Sequence, residues 1–229
     1  MEKKYLCALI ILVIFMGISC VQSLKGVTLL HWASSEGHLD IVKQVLSRGM
    51  DLNIKDEAGF TPLINAVRNK HIAVVKYLLA QKADMNIADQ EGNQALHWAS
   101  ASGNIEIINL FLDNRVDINV LNNKNQSPLD FAYDKRQLEA ILLLLSKGAE
   151  PPAFESSTFT MLHWACEKGY ELLVKNLIWL DVNLNVSDNR GYFPIHYAAE
   201  GGYVNIVKAL IDAGADIEQP WPVKKEGRF

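Results

Sequence analysis

Apolar residues recur along this chain in two alternating helical patterns. One is amphipathic: Ile41, Val42, Val45 and Leu46 early in the chain, and Ile206, Val207, Leu210 and Ile211 near its end, each fall on one side of a helix. The other is shorter and lies just upstream. Thr61-Pro62 and Ser127-Pro128 open it, with the hydroxyl capping the helix and proline at the first helical position, where a missing N–H costs nothing. Gly37, Gly103, Gly169 and Gly202 close it by entering the left-handed region. The predicted local unit is a short helix, a turn and an amphipathic helix.

This unit recurs every 33 residues without insertion or deletion. Counted from Thr28, the equivalent positions are Thr61, Gln94, Ser127, Thr160 and Phe193, and the sixth residue is always alanine: Ala33, Ala66, Ala99, Ala132, Ala165 and Ala198. Each unit closes on an apolar pair and a Gly-Ala-Asp-like triplet, as in Leu210, Ile211 and then Gly214, Ala215, Asp216. The stretches "TPLINA", "SPLDFA" and "FPIHYA" resemble the T-P-L-H-x-A signature of the ankyrin repeat. The resemblance covers about residues 26–218 and implies an all-α solenoid of stacked helix pairs with β-hairpin fingers, the fingers at turns such as "DEAG", "DQEG" and "DNRG". The six units are about 26–55, 56–88, 89–121, 122–154, 155–187 and 188–218, with a tail at 219–229. Helices this short are marginal alone, so each must bury its apolar face on the next unit.

The repeat changes the meaning of residues that would otherwise suggest catalysis. All six histidines are in phase: His31, His97, His163 and His196 at the fourth position, His38 and His71 at the eleventh. The resemblance implies that both positions tie turns and neighbouring units together by hydrogen bonds. Equivalent residues of successive units stand about 10 Å apart, so they do not converge on a metal. Trp32, Trp98 and Trp164 recur at the fifth position, with Phe131 and Tyr197 in later units; they read as packing between first helices or as an aromatic ladder open to a partner. Cys166 is the one cysteine of the repeats and reads as a space-filling residue. No catalytic motif or spare acid–base group appears, so neither an enzyme nor a cofactor is expected.

Composition narrows the partner. A formal net charge of −4 without a clustered basic face argues against nucleic acid. The first residues stand apart: Lys3 and Lys4, an apolar run from Tyr5 to Ile18, then small and polar residues to Ser23, the layout of a signal peptide spanning 1–23. Export of the repeats as a secreted, periplasmic or surface protein is one expectation. The other is a membrane anchor, either the retained segment or a lipid on Cys20, which ends the lipobox-like "GISC".

The resemblance implies a monomer that binds another protein through its concave face and fingertips. The positions it selects are Glu57, Ala58, Phe60, Arg68 and Asn69 in the second unit, and Gln90, Glu91 and Asn93 in the third. They continue as Asn123, Lys124 and Gln126 in the fourth, Ser156, Ser157, Phe159, Glu167 and Lys168 in the fifth, and Asn189, Arg190, Tyr192 and Glu200 in the sixth. Phe60, Phe159 and Tyr192 are poor solvated residues and are expected to anchor the partner. The fourth unit departs furthest from the pattern, with Asp130 for His, Asn122 and Asn125 for the finger Asp and Gly, and Arg136 for Gly, and is expected to be weak. Positive φ is expected at Arg136 and at Lys70. Residues 150–159 are expected to form an adaptable edge, and Trp221 either covers the end of the last unit or leaves it open.

Overall fold

The computed structural model describes residues 29–151 and 160–219. The expectations attached to residues 1–23, Cys20, Ser156, Ser157, Phe159 and Trp221 lie outside the described residues. Twelve helices are described, in pairs: α1 (Leu29–Glu36) with α2 (Leu39–Ser47), α3 (Pro62–Arg68) with α4 (Ile72–Ala80), and α5 (Ala95–Ser102) with α6 (Ile105–Asp113). There follow α7 (Pro128–Asp134) with α8 (Leu138–Ser146), α9 (Met161–Lys168) with α10 (Glu171–Trp179), and α11 (Pro194–Glu200) with α12 (Val204–Asp212). The architecture is all-helical and solenoid-like. No strand occurs among the described residues, so the fingers expected as β-hairpins are here tight turns.

Each helix starts and stops where its sequence dictates. Thr61 Oγ1 accepts the Ile64 N–H at 3.2 Å, with Pro62 at the first helical position. Ser127 and Asp130 cap α7 reciprocally: Asp130 Oδ2 accepts the Ser127 N–H at 2.7 Å while Ser127 Oγ accepts the Asp130 N–H at 3.3 Å. Asp130 thus replaces the fourth-position histidine as a cap within its own unit. At the other end, Lys70 and Arg136 occupy the left-handed region at φ 61° and 55°, where the other units place glycine. Gly37 has a second reason to be glycine: a Cβ there would meet the His71 ring at 2.4 Å.

The chain divides into two compact units at Ile141, inside α8. In the first, α1, α3, α5 and α7 pack in succession, and α2, α4 and α6 do likewise. In the second, α9 packs on α11 and α10 on α12. All six sixth-position alanines are completely buried, and a bare methyl there lets successive helices approach closely. Val74, Val75 and Leu78 of α4 and Ile107, Ile108 and Phe111 of α6 form the buried stripes of the second helices. At the end of the array α12 buries Ile206 and Leu210 but leaves Val204 and Ile211 exposed among the described residues.

Directed cross-links fix the register that apolar burial leaves loose. The Nε2–H of His71 donates to the Ser35 carbonyl of the preceding unit at 2.8 Å. Asn53 Oδ1 accepts the Asp84 N–H at 3.0 Å, and Asn185 Oδ1 accepts the Asp216 N–H at 2.8 Å, the same bond one unit apart in each case.

The seventh position is the exception to good polar pairing. Among the described residues Ser34 and Ser100 bury hydroxyls that have no partner, while Cys166 fills the equivalent place with a buried thiol whose pKa burial pushes up to about 12. Ser100→Ala should therefore raise the unfolding free energy by about 1 kcal/mol, because it deletes an unmet buried hydroxyl at little cost in volume. The check is a urea midpoint that moves up with an unchanged slope; a lower midpoint would show that the hydroxyl is bonded in solution.

Candidate functional site

Four finger turns are built alike from one side chain each. Asp56 Oδ1 accepts the N–H groups of Ala58 at 3.0 Å and Phe60 at 2.8 Å, and the Asp56 N–H donates to the Phe60 carbonyl at 3.0 Å. Asp89, Asn122 and Asp188 repeat this clamp on the residues two and four places on. Asn122 is therefore no loss to the fourth finger, since its carbonyl does the work of a carboxylate oxygen, and Asn125 takes the left-handed turn at φ 57° that Gly takes elsewhere. This answers part of the expectation that the fourth unit is weak.

The second oxygen of the finger acid reaches the fifth-position aromatic. Asp89 Oδ2 accepts from Trp98 Nε1 and from Asn93 Nδ2, each at 3.0 Å, and Asp188 Oδ2 accepts from the Tyr197 hydroxyl at 2.6 Å. Phe131 has no donor, and its finger carries Asn122, whose Nδ2 donates to Asn93 Oδ1 at 2.7 Å instead. Burial works against the Asp188 charge, but bonds from Tyr197, the Tyr192 and Arg190 N–H groups and the Arg190 side chain outweigh it, so its pKa falls. Burial of Tyr197, and then the same carboxylate, pushes that phenol up to about 12.

The fourth-position histidines are bridges. His97 Nδ1 accepts the Gln94 N–H at 3.1 Å, which leaves the proton on Nε2 to donate to the Gln126 carbonyl of the next finger at 3.1 Å. His163 links Thr160 to Tyr192 in the same way at 3.1 and 3.0 Å, and His196 links Phe193 to Gln219 at 3.2 and 3.3 Å. His31 Nε2 lies 2.9 Å from the Phe60 carbonyl. Both nitrogens of His97 and His163 are spent on architecture, and burial holds both rings below the usual histidine pKa. Among the described residues no group of His, Cys, Asp and Glu could hold a metal.

What remains on the outside is a set of rings and cations beside the fingers. The Arg68 guanidinium lies 4.3 Å from the Phe60 ring centre and 4.6 Å from that of Trp98, two rings meeting edge to face at 85°. Phe131 continues the row, 5.9 Å from Trp98. In the second compact unit Arg190 stands 5.5 Å from the Tyr192 ring and 5.7 Å from Tyr197, donates to the Tyr197 hydroxyl and pairs with Asp188 Oδ2 at 3.3 Å. Trp164 is buried, whereas Trp32 and Trp98 are half-buried, so the tryptophans divide between packing and surface.

Most of the surface positions expected from the sequence are accessible. Glu57, Ala58, Arg68, Asn69, Gln90, Glu91, Asn123, Lys124, Glu167, Lys168, Asn189, Arg190 and Glu200 are exposed, and Phe60, Gln126 and Tyr192 are half-buried. Asn93 is a correction. It is 1% exposed, and its amide lies between Asp89 and Asn122, so it braces two fingers from within instead of lying on the surface. Trp98 is the surface residue that the sequence left undecided. Asp134, the last residue of α7, has its carboxyl held above the usual range, by burial first and then by Asp130.

The family model described as "Ankyrin repeats (3 copies)" matches the chain over residues 3–89, 79–155 and 153–220. The first match begins inside the segment expected to act as a signal peptide. No curated protein matches it. The ankyrin repeat domain of Bcl-3, described as a unique member of the IkappaB protein family, shares 27% identity at a TM-score of 0.64, over 84% of this chain and 88% of that one. An ankyrin repeat domain of Acinetobacter baumannii also shares 27% identity, at a TM-score of 0.68, over 82% of this chain and 98% of that one.

The buried imidazoles tie stability to pH. Unfolded histidine titrates near the ordinary value of 6.5, whereas folded His97 and His163 resist protonation, so their contribution is complete above that pH and is lost as pH falls through the lower folded values. The urea midpoint should drop between pH 7.5 and 5.5, and a His97→Gln/His163→Gln variant, less stable at pH 7.5, should show a flatter drop. Equal slopes would mean that these rings titrate normally.

Proposed function

The chain belongs to the ankyrin-repeat family, and from that premise we propose that it is a non-enzymatic protein-binding scaffold of six units, gripping its partner with its first helices and finger turns. One observation supports this reading above others: the residues capable of chemistry are committed to the repeat itself. The histidines bridge caps to fingers, the finger acids hold turns, and the thiol of Cys166 is buried. The accessible remainder, half-buried aromatic rings beside exposed arginines, is of the kind that supplies most of the energy at protein interfaces.

We further propose that the repeats are exported, on the strength of Lys3, Lys4 and the apolar run from Tyr5 to Ile18. The alternative is that the same segment, or a lipid on Cys20, holds the scaffold and its partner at a membrane. None of the helices among the described residues is long and apolar enough to cross one. The partner is another protein and not nucleic acid, in keeping with a net charge of −4.

Two measurements test these proposals. A Phe60→Ala/Tyr192→Ala variant should keep its helical circular dichroism and bind any partner of the parent chain at least tenfold more weakly, since each ring is a half-buried anchor; undiminished binding would move the interface elsewhere. Mass spectrometry of the mature N-terminus should find Leu24 first. A retained Met1 or an acylated Cys20 would replace export with membrane attachment.

A further inference from the structure

Each arginine–aromatic cluster sets a guanidinium beside two rings, but the two differ in charge balance. Arg190 has an acid of its own, since Asp188 pairs with it and Tyr197 accepts from it. Arg68 has neither: among the described residues its guanidinium makes no hydrogen bond and no ion pair, although its side chain is exposed and lodged against Phe60 and Trp98. Asp89, behind the Trp98 ring, is committed to four N–H donors, from Glu91, from Trp98 and two from Asn93. We infer that the corner made by Phe60, Arg68 and Trp98 is a receptor for an acidic side chain carried by an extended segment of the partner.

The physical case has three parts. A guanidinium offers a planar fork that fits a carboxylate with two parallel hydrogen bonds, and the ring contacts leave the edge of that fork for a ligand. The rings already hold the side chain in one place, so less rotamer freedom is lost when a carboxylate arrives. The apolar walls also lower the local polarity, which strengthens the ion pair relative to one in open water. Phe131 extends the aromatic row one repeat further, its ring centre 5.9 Å from that of Trp98, which itself lies 4.6 Å from the Arg68 guanidinium. An extended chain advances about 3.3 Å per residue, so the acidic residue should be followed two or three places on by an apolar one that covers Phe131.

This inference rests on the proposed protein-binding function and adds the chemistry that would be recognised. The test uses the full chain and a library of random twelve-residue peptides inserted within a carrier protein, so that no peptide presents a free terminal carboxylate. Selected peptides should share an Asp or Glu at one position with an apolar residue two or three places away. Changing that acid to its amide should weaken binding to the parent at least tenfold and leave binding to Arg68→Gln unchanged, while Arg68→Lys, which keeps the charge without the fork, should lose part of the discrimination. If acid and amide peptides differ equally on all three proteins, or if no acidic position is selected, the carboxylate receptor is wrong and the protein-binding reading survives. If no peptide is selected at all, both fail. Should Arg68→Gln not fold, Arg68→Lys alone carries the comparison.

Discussion

Helices of seven to nine residues do not persist in water by themselves, and every other feature of this chain follows from that limit. Within each compact unit the helices pack on their counterparts in the neighbouring repeat, and the sixth-position alanines of the first helices are completely buried. Apolar burial is not directional, however, and would allow one unit to slide on the next. The imidazole that joins the start of its own helix to the carbonyl of the following finger supplies the missing direction, and the asparagines that accept N–H groups from the next unit do the same. Because those imidazoles must stay neutral to serve both ends, their use in architecture removes them from acid–base chemistry.

The same economy governs the fingers. A finger acid needs donors for both of its oxygens once it is buried. One oxygen serves the turn, and the other depends on what the fifth-position ring can give: an indole N–H from Trp98, a hydroxyl from Tyr197. Phe131 can give nothing, and there the finger carries an amide in place of a carboxylate. The departure at Asn122 that looks like decay of the repeat is therefore a matched change, and Asn125 keeps the left-handed turn at φ 57°. Arg136 is different, because glycine is replaced there by a residue with a side chain, which must take the left-handed backbone at φ 55°.

Holding a stack in this way frees its outer surface from the needs of folding. Residues at the fingertips and along the first helices are exposed, and among them lie rings that would be costly to leave in water without a use. The two arginine clusters show how a small change of neighbours alters what such a surface can do: one cation is neutralised from within the molecule, the other is held ready.

The sequence by itself determined the period, the helix starts and stops, the left-handed turns at Lys70 and Arg136, and the structural use of the histidines. Each depends on a residue and its neighbours within one repeat, or on a motif that recurs in phase, so the chain announces it several times over. Only the tertiary structure decided that Asn93 is buried between Asp89 and Asn122, that Asn122 replaces Asp without loss, and that Phe60, Arg68 and Trp98 meet in one corner. Those outcomes depend on the lateral fit of adjacent units, where a shift of an ångström exchanges one hydrogen-bond partner for another. A linear pattern carries the spacing of residues along the chain and no measure of that fit.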